Sequence, residues 1–87
     1  MKLEYIITFE NTSLAMKAEK ALLAESLDIG VLPLPSQISA GCGICLRVKQ
    51  DDINEACDVL KDKNIIQAKI FFRISKNGQY VYVDCED

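Results

Sequence analysis

Period-two apolar alternation, two intervening helical stripes and an Asn-Gly turn near the C-terminus predict an α+β fold for this 87-residue chain. With 49% hydrophobic and 26% charged residues, it has an ordinary globular composition that fits neither a disordered nor a membrane class. A chain this short buries only roughly 60–65% of its unfolded surface, so a single domain over residues 1–87 with a thin core is expected.

Residues 2–9 place Leu3, Tyr5, Ile7 and Phe9 on one face of a first strand. Asn11, Thr12 and Ser13 are all good helix caps, and Leu14, Ala15, Ala18, Ala21 and Leu22 then recur at helical spacing up to Leu27. Ile29 to Leu32 form a short second strand, which Pro33 and Pro35 stop from continuing as an interior strand. Ile44, Leu46 and Val48 alternate with Cys45, Arg47 and Lys49 in a third. Asp52 and Glu55 have capping-box spacing ahead of a second helix with Ile53, Ala56, Cys57 and Leu60 as its stripe.

The segments Ile65 to Ser75 and Gln79 to Cys85 flank Lys76-Asn77-Gly78, and Asn-Gly is the strongest short hairpin signal. With Asn77 and Gly78 central, Ile74 faces Val81, Phe72 faces Val83 and Ile70 faces Cys85 on the helix-covered side. Arg73 and Tyr82 meet on the other side, in reach of a cation–π contact. The order βαββαβ plus one terminal strand is that of a ferredoxin-like sandwich, in which two helices cover one face of an antiparallel sheet.

The chain carries 13 acidic and 10 basic residues, a net charge of −3, so nothing draws it to nucleic acid. No apolar run approaches the ~20 residues that span a bilayer, and Met1-Lys2-Leu3-Glu4 does not open a signal peptide. A cytoplasmic protein with reduced thiols is expected. Histidine is absent, which removes a Cys/His pair, a histidine base and imidazole zinc ligands.

Gly41-Cys42-Gly43 puts a thiol between two glycines where a loop becomes a strand, behind the constrained segment Pro33 to Ala40. Small neighbours and permissive backbone suit an exposed, reactive sulfur. The topology brings this loop to the sheet edge that holds the start of the first helix, whose partial positive charge favours loss of the thiol proton. Cys57 on the helical stripe and Cys85 on the Val81, Val83 face are expected in the core. Cys42 and Cys45 form a Cys-x-x-Cys, but in an extended strand their Cα atoms would lie ~10 Å apart, beyond the ~7 Å of a disulfide. A four-cysteine zinc site would need Cys57 to leave the core. Arg47 is either a solvated strand residue or positive charge for an anionic sulfur species.

The run Pro33-x-Pro35, Ile38-Ser39-x-x-Cys42-Gly43-x-x-Leu46-Arg47, behind Phe9 and Ala18-Glu19, resembles the small bacterial selenium/sulfur carrier protein-like family from roughly Tyr5 to Val59. The resemblance implies that Cys42 holds a persulfide or selenopersulfide, with Gly41, Gly43, Ser39 and Arg47 as its binding surroundings. Related sequences commonly have a basic residue where Ser36 stands, and Cys45 lies outside the motif. The implied function is a carrier that passes a chalcogen between donor and acceptor proteins without a cofactor or metal; whether such a relay counts as an enzyme is a matter of definition. Two other readings stand beside it. One is a non-catalytic regulatory or ligand-binding module, with Tyr80, Tyr82, Phe71 and Ile6 on the uncovered sheet face as a candidate homodimer surface. The other is a thiol–disulfide redox protein using Cys42 with Cys45 or Cys85.

Overall fold

The computed structural model describes residues 3–86, so Lys2, assigned above to the first strand, lies outside the described residues. In chain order the elements are β1 (Leu3–Thr8), α1 (Thr12–Ala24), β2 (Ile29–Pro33), β3 (Ile44–Lys49), α2 (Ile53–Asp62), β4 (Lys69–Lys76) and β5 (Gln79–Asp84), with a 3₁₀ turn at Gln50–Asp52 before α2. The five strands form one antiparallel sheet in the order β2-β3-β1-β4-β5. The fold is α+β.

Alternation along β1 and β3 sends Ile7, Leu46 and Val48 to one face, where they pack with Ala15, Ala18 and Leu22 of α1 and with Ala56 and Leu60 of α2. Ile6 and Cys45 point the other way and form a second cluster with Ile38, flanked by Leu32, Leu34, Phe71 and Tyr82. The sheet thus carries a buried apolar cluster on each side. The face opposite the helices, a candidate dimer surface in the sequence, is roofed by Leu34 and Ile38 of the β2–β3 loop, and Ile6 is fully buried.

Both helices end in a six-residue C-terminal closure. In α1 the Leu27 amide donates to the Leu22 carbonyl and the Ser26 amide to that of Leu23; in α2 Ile65 donates to Leu60 and Asn64 to Lys61. Ser26 and Asn64 take the left-handed conformation this closure needs, at φ 63° and 57°. α1 therefore stops at Ala24, short of Leu27, and β4 starts at Lys69, not Ile65, because Leu27 and Ile65 are spent on closing the helices and on the core beneath. The expected Asp52 capping box is not formed: Asp52 has helical φ/ψ of −105° and −4° and makes no side-chain cap bond, since the 3₁₀ turn already delivers the chain into α2. At α1 the cap is Asn11, whose Oδ1 accepts from the Leu14 amide at 2.8 Å.

The β4–β5 register agrees with the sequence reading: Phe72 pairs with Val83, Ile74 with Val81 and Lys76 with Gln79. Asn77 and Gly78 both have positive φ, 54° and 80°, the signature of a two-residue type I′ turn. Val81 and Val83 do share the face of Phe72 but remain exposed, because the helices lie over β1, β2 and β3 and do not extend to the hairpin. Arg73 stacks on Tyr80, 4.0 Å from the ring centroid, and not on its direct neighbour Tyr82. No helix is long and apolar enough to cross a membrane.

Ser26 holds a left-handed backbone that costs a residue with a Cβ roughly 1 kcal/mol or more relative to glycine. Ser26→Gly should therefore stabilise the protein by about 0.5–1 kcal/mol in urea unfolding, the gain being trimmed by the greater unfolded-state entropy of glycine.

Candidate functional site around Cys42

The loop between β2 and β3 passes over the end of the sheet. Its base is closed by the Leu34 amide donating to the Gly43 carbonyl at 2.9 Å, and its tip by the Ile38 amide donating to the Pro35 carbonyl at 3.0 Å. Ile38 inserts into the cluster on one sheet face and Cys42 into the core on the other. Ser36, Gln37 and Ser39 are left exposed on the outside of the loop.

Gly41 fixes the position of the thiol. A Cβ on Gly41 would lie 2.3 Å from the Glu10 carbonyl oxygen, so only glycine lets the loop rest on the backbone leaving β1. Gly43 has no such constraint, with nothing within 4 Å of a built Cβ, and neither glycine needs positive φ. The permissive backbone is thus not used for positive φ here: Gly41 serves close approach, while Gly43 leaves open space beside the sulfur's residue.

Cys42 itself is buried, 2% exposed, and this corrects the expectation of an exposed loop thiol. The docking of Gly41 presses it beneath the loop against the α1 N-terminus. Its Sγ lies 3.4 Å from Thr12 Oγ1 and accepts from the Ile44 amide at 3.5 Å. Thr12 is the first residue of α1, and because Asn11 does the capping, the Thr12 hydroxyl is free to face the sulfur. The sulfur therefore sits among apolar side chains with two polar neighbours at a helix start. The sequence reading treated Thr12 only as one of three cap candidates; the signal for its role was its place directly after the best cap, on the turn that the topology sets beside the loop.

The remaining thiols fall elsewhere. Cys45 is fully buried on the opposite sheet face from Cys42, with its Sγ 3.9 Å from the Pro33 carbonyl oxygen, and burial pushes its thiol up to about 11. Alternation along β3 separates the Cys-x-x-Cys pair across the sheet. Cys57 is only half-buried, since it flanks the stripe of α2 and does not top it, and Cys85 is exposed at the end of β5, beyond the helices. Burial, then neighbouring acids, raises both of these thiols. Neither is the core residue the sequence suggested. Among the described residues no group of Cys, Asp or Glu is placed to hold a metal ion.

Arg47 lies on the loop-covered sheet face and is committed to carboxylates. Its guanidinium reaches Glu4 Oε2 at 3.3 Å and Asp28 Oδ1 at 3.6 Å, while Lys49 holds the other Asp28 oxygen at 2.7 Å. Gly30, paired with Arg47 in the ladder, leaves room for this side chain: a Cβ there would meet the guanidinium at 3.0 Å. Arg73 clamps Glu4 Oε1 through Nε and a terminal nitrogen at 3.1 and 2.9 Å. Burial alone would raise Glu4, but the hydrogen bonds and charges of Arg73 and Arg47 outweigh it and hold the carboxyl below its usual range. Arg47 therefore anchors the sheet, and Cys42 lies across the sheet from it.

Two expectations follow from this geometry. Gly41→Ala should destabilise the protein by roughly 1–3 kcal/mol, because backbone must move to admit the methyl group, whereas Gly43→Ala should stay within about 0.5 kcal/mol of the parent in urea unfolding. Glu4→Gln should cost roughly 1–3 kcal/mol at neutral pH by leaving two arginines short of their carboxylate. Glu4 binds a proton less readily folded than unfolded, so its stabilising effect is complete above the unfolded value and is lost as pH falls through the lowered folded one. The cost of Glu4→Gln should shrink across that acid window.

A family described as "Putative Se/S carrier protein-like" matches residues 4–71, from Glu4 in β1 to Phe71 in β4, a span that contains α1, the Cys42 loop and α2. Comparisons with curated proteins and with solved structures returned no match. The chain belongs to the Se/S carrier protein-like family.

Proposed function

We propose that the protein is a sulfur or selenium carrier that holds the chalcogen as a persulfide or selenopersulfide on Cys42, in a ferredoxin-like scaffold extended by one hairpin strand. The observation that carries this reading is the seat of the Cys42 sulfur between the Thr12 hydroxyl and the Ile44 amide at the start of α1. A cysteine kept only for packing needs no polar partners. The Ile44 amide donates to the sulfur and the Thr12 hydroxyl lies beside it, so the thiol is held in a defined polar seat at a helix start.

In the loading step the Cys42 thiolate attacks the terminal sulfur of a donor persulfide, forming the Cys42 S–S bond while the donor's S–S bond breaks and its thiolate leaves. Delivery is the same exchange with an acceptor thiolate attacking the outer sulfur and Cys42 thiolate leaving. No net oxidation occurs and no cofactor is required. Donor and acceptor proteins are the partners, and the cytoplasm, where thiols stay reduced, is the compartment in which the cycle runs.

Burial of Cys42 gives the reading a condition. Exchange demands access, so the segment from Ser39 to Gly43 opens locally for each transfer and closes over the loaded sulfur between transfers, shielding it from bulk thiols. The same burial favours a second reading, a binding module in which Cys42 is structural. The placement of Cys42 and Cys45 on opposite sheet faces argues against a redox pair.

Intact mass after incubation with a persulfide donor separates these readings. In a Cys85→Ser background, which removes the exposed thiol, the protein should gain one thiol-labile sulfur; Cys42→Ser should abolish the gain and Cys45→Ser should keep it. Loading that persists without Cys42 would leave the module as the better reading.

A further inference from the structure

We propose that β5 is a self-association edge: two copies of this chain pair their β5 strands antiparallel and join their sheets into one. The two edges of the sheet differ in their protection. β2 contains Gly30 and ends in Pro33, residues that weaken or block pairing. β5 runs Gln79-Tyr80-Val81-Tyr82-Val83 without a proline, a glycine or a charge before Asp84.

Its free side is ready to pair. The Cys85 amide donates inward to the Ile70 carbonyl, and alternation then sends the N–H and C=O groups of Tyr80, Tyr82 and Asp84 outward. Beside this edge the helix-side face is uncovered: Val81 is 45% exposed and Val83 39%, next to half-buried Phe72 and Ile74. Antiparallel addition would make these valines from two copies one strip and bring together the exposed Tyr80 rings on the other face.

Charge selects a second copy as the occupant and antiparallel as the direction. Lys76 stands at the turn end of the hairpin and Glu86 just beyond the other end of β5; neither has an ion-pair partner among the described residues. Antiparallel pairing puts Lys76 of each copy at the end where Glu86 of the other lies, whereas parallel pairing would set like charges together. The family match ends at Phe71, so this edge lies outside the segment that relates the chain to its family and outside the Cys42 site.

Sedimentation equilibrium of the full chain from low micromolar to millimolar concentration tests the proposal. A reversible monomer–dimer equilibrium is expected. Val81→Lys, a change at an exposed position that far-UV circular dichroism should show to be folded, should weaken it at least tenfold. Lys76→Glu should also weaken it, and the swap Lys76→Glu with Glu86→Lys should restore it. A chain that stays monomeric throughout overturns the proposal and leaves the edge for a strand of another protein. A dimer indifferent to Val81→Lys overturns it in favour of another surface, and a swap that does not restore dimerisation overturns the antiparallel pairing.

Discussion

The contact of the Gly41 backbone with the Glu10 carbonyl is the constraint on which the site depends. A Cβ at residue 41 would sit 2.3 Å from that oxygen, so the loop comes down on the β1–α1 connection only because the side chain is missing. Once it does, Cys42 has nowhere to go except beneath the loop, against Thr12. Its burial is thus a tertiary consequence of one backbone approach, and the apolar core around Ile7, Phe9 and Leu46 receives the sulfur as it would a small hydrophobe.

The loop is held independently on the two faces of the sheet. Ile38 and Leu34 bind it to Ile6, Cys45 and Phe71 on one side, while Gly41 and Cys42 bind it on the other. Beneath the first attachment lies the Glu4 network, in which one carboxylate accepts from Arg73 and Arg47 and the latter also reaches Asp28. Glu4 and Asp28 face three cations, Arg47, Arg73 and Lys49, each within ion-pair distance on a partly shielded surface, and Gly30 gives the Arg47 guanidinium room. The loop is thus tied to both faces of the sheet.

Local rules made much of this legible from sequence. Asn77-Gly78 set the hairpin register, and with it the pairing of Phe72 with Val83, because a two-residue turn of that composition leaves one register. A cap within Asn11 to Ser13 and the apolar row of Ile44, Leu46 and Val48 followed from side-chain chemistry and alternation, the structure selecting Asn11 among the three. What failed depended on distant packing. Small neighbours at Cys42 suggested exposure, yet burial was decided by what Gly41 touches; Cys85 continued an apolar face that the helices do not reach; Asp52 had the spacing of a cap but followed a turn already helical. For Cys42 and Cys85 the local pattern holds and only the burial differs, whereas at Asp52 the 3₁₀ turn displaces the cap itself.

The asymmetry between the two glycines gives the proposed carrier a physical form. Gly41 acts as a latch, because any side chain there would lift the loop, whereas a Cβ at Gly43 would meet nothing within 4 Å and the Gly43 carbonyl is tied to the Leu34 amide at the loop base. An opening that costs about 3 kcal/mol would expose the thiol in under ~1% of molecules, slowing attack by bulk thiols by the same factor without blocking it. A partner that binds the open loop removes that penalty through its own binding energy. In the proposed carrier, selectivity would then reside in which protein can hold Ser39 to Gly43 away from Glu10, because binding energy available to a partner protein and not to a small thiol would offset the cost of undoing the contact that hides the sulfur.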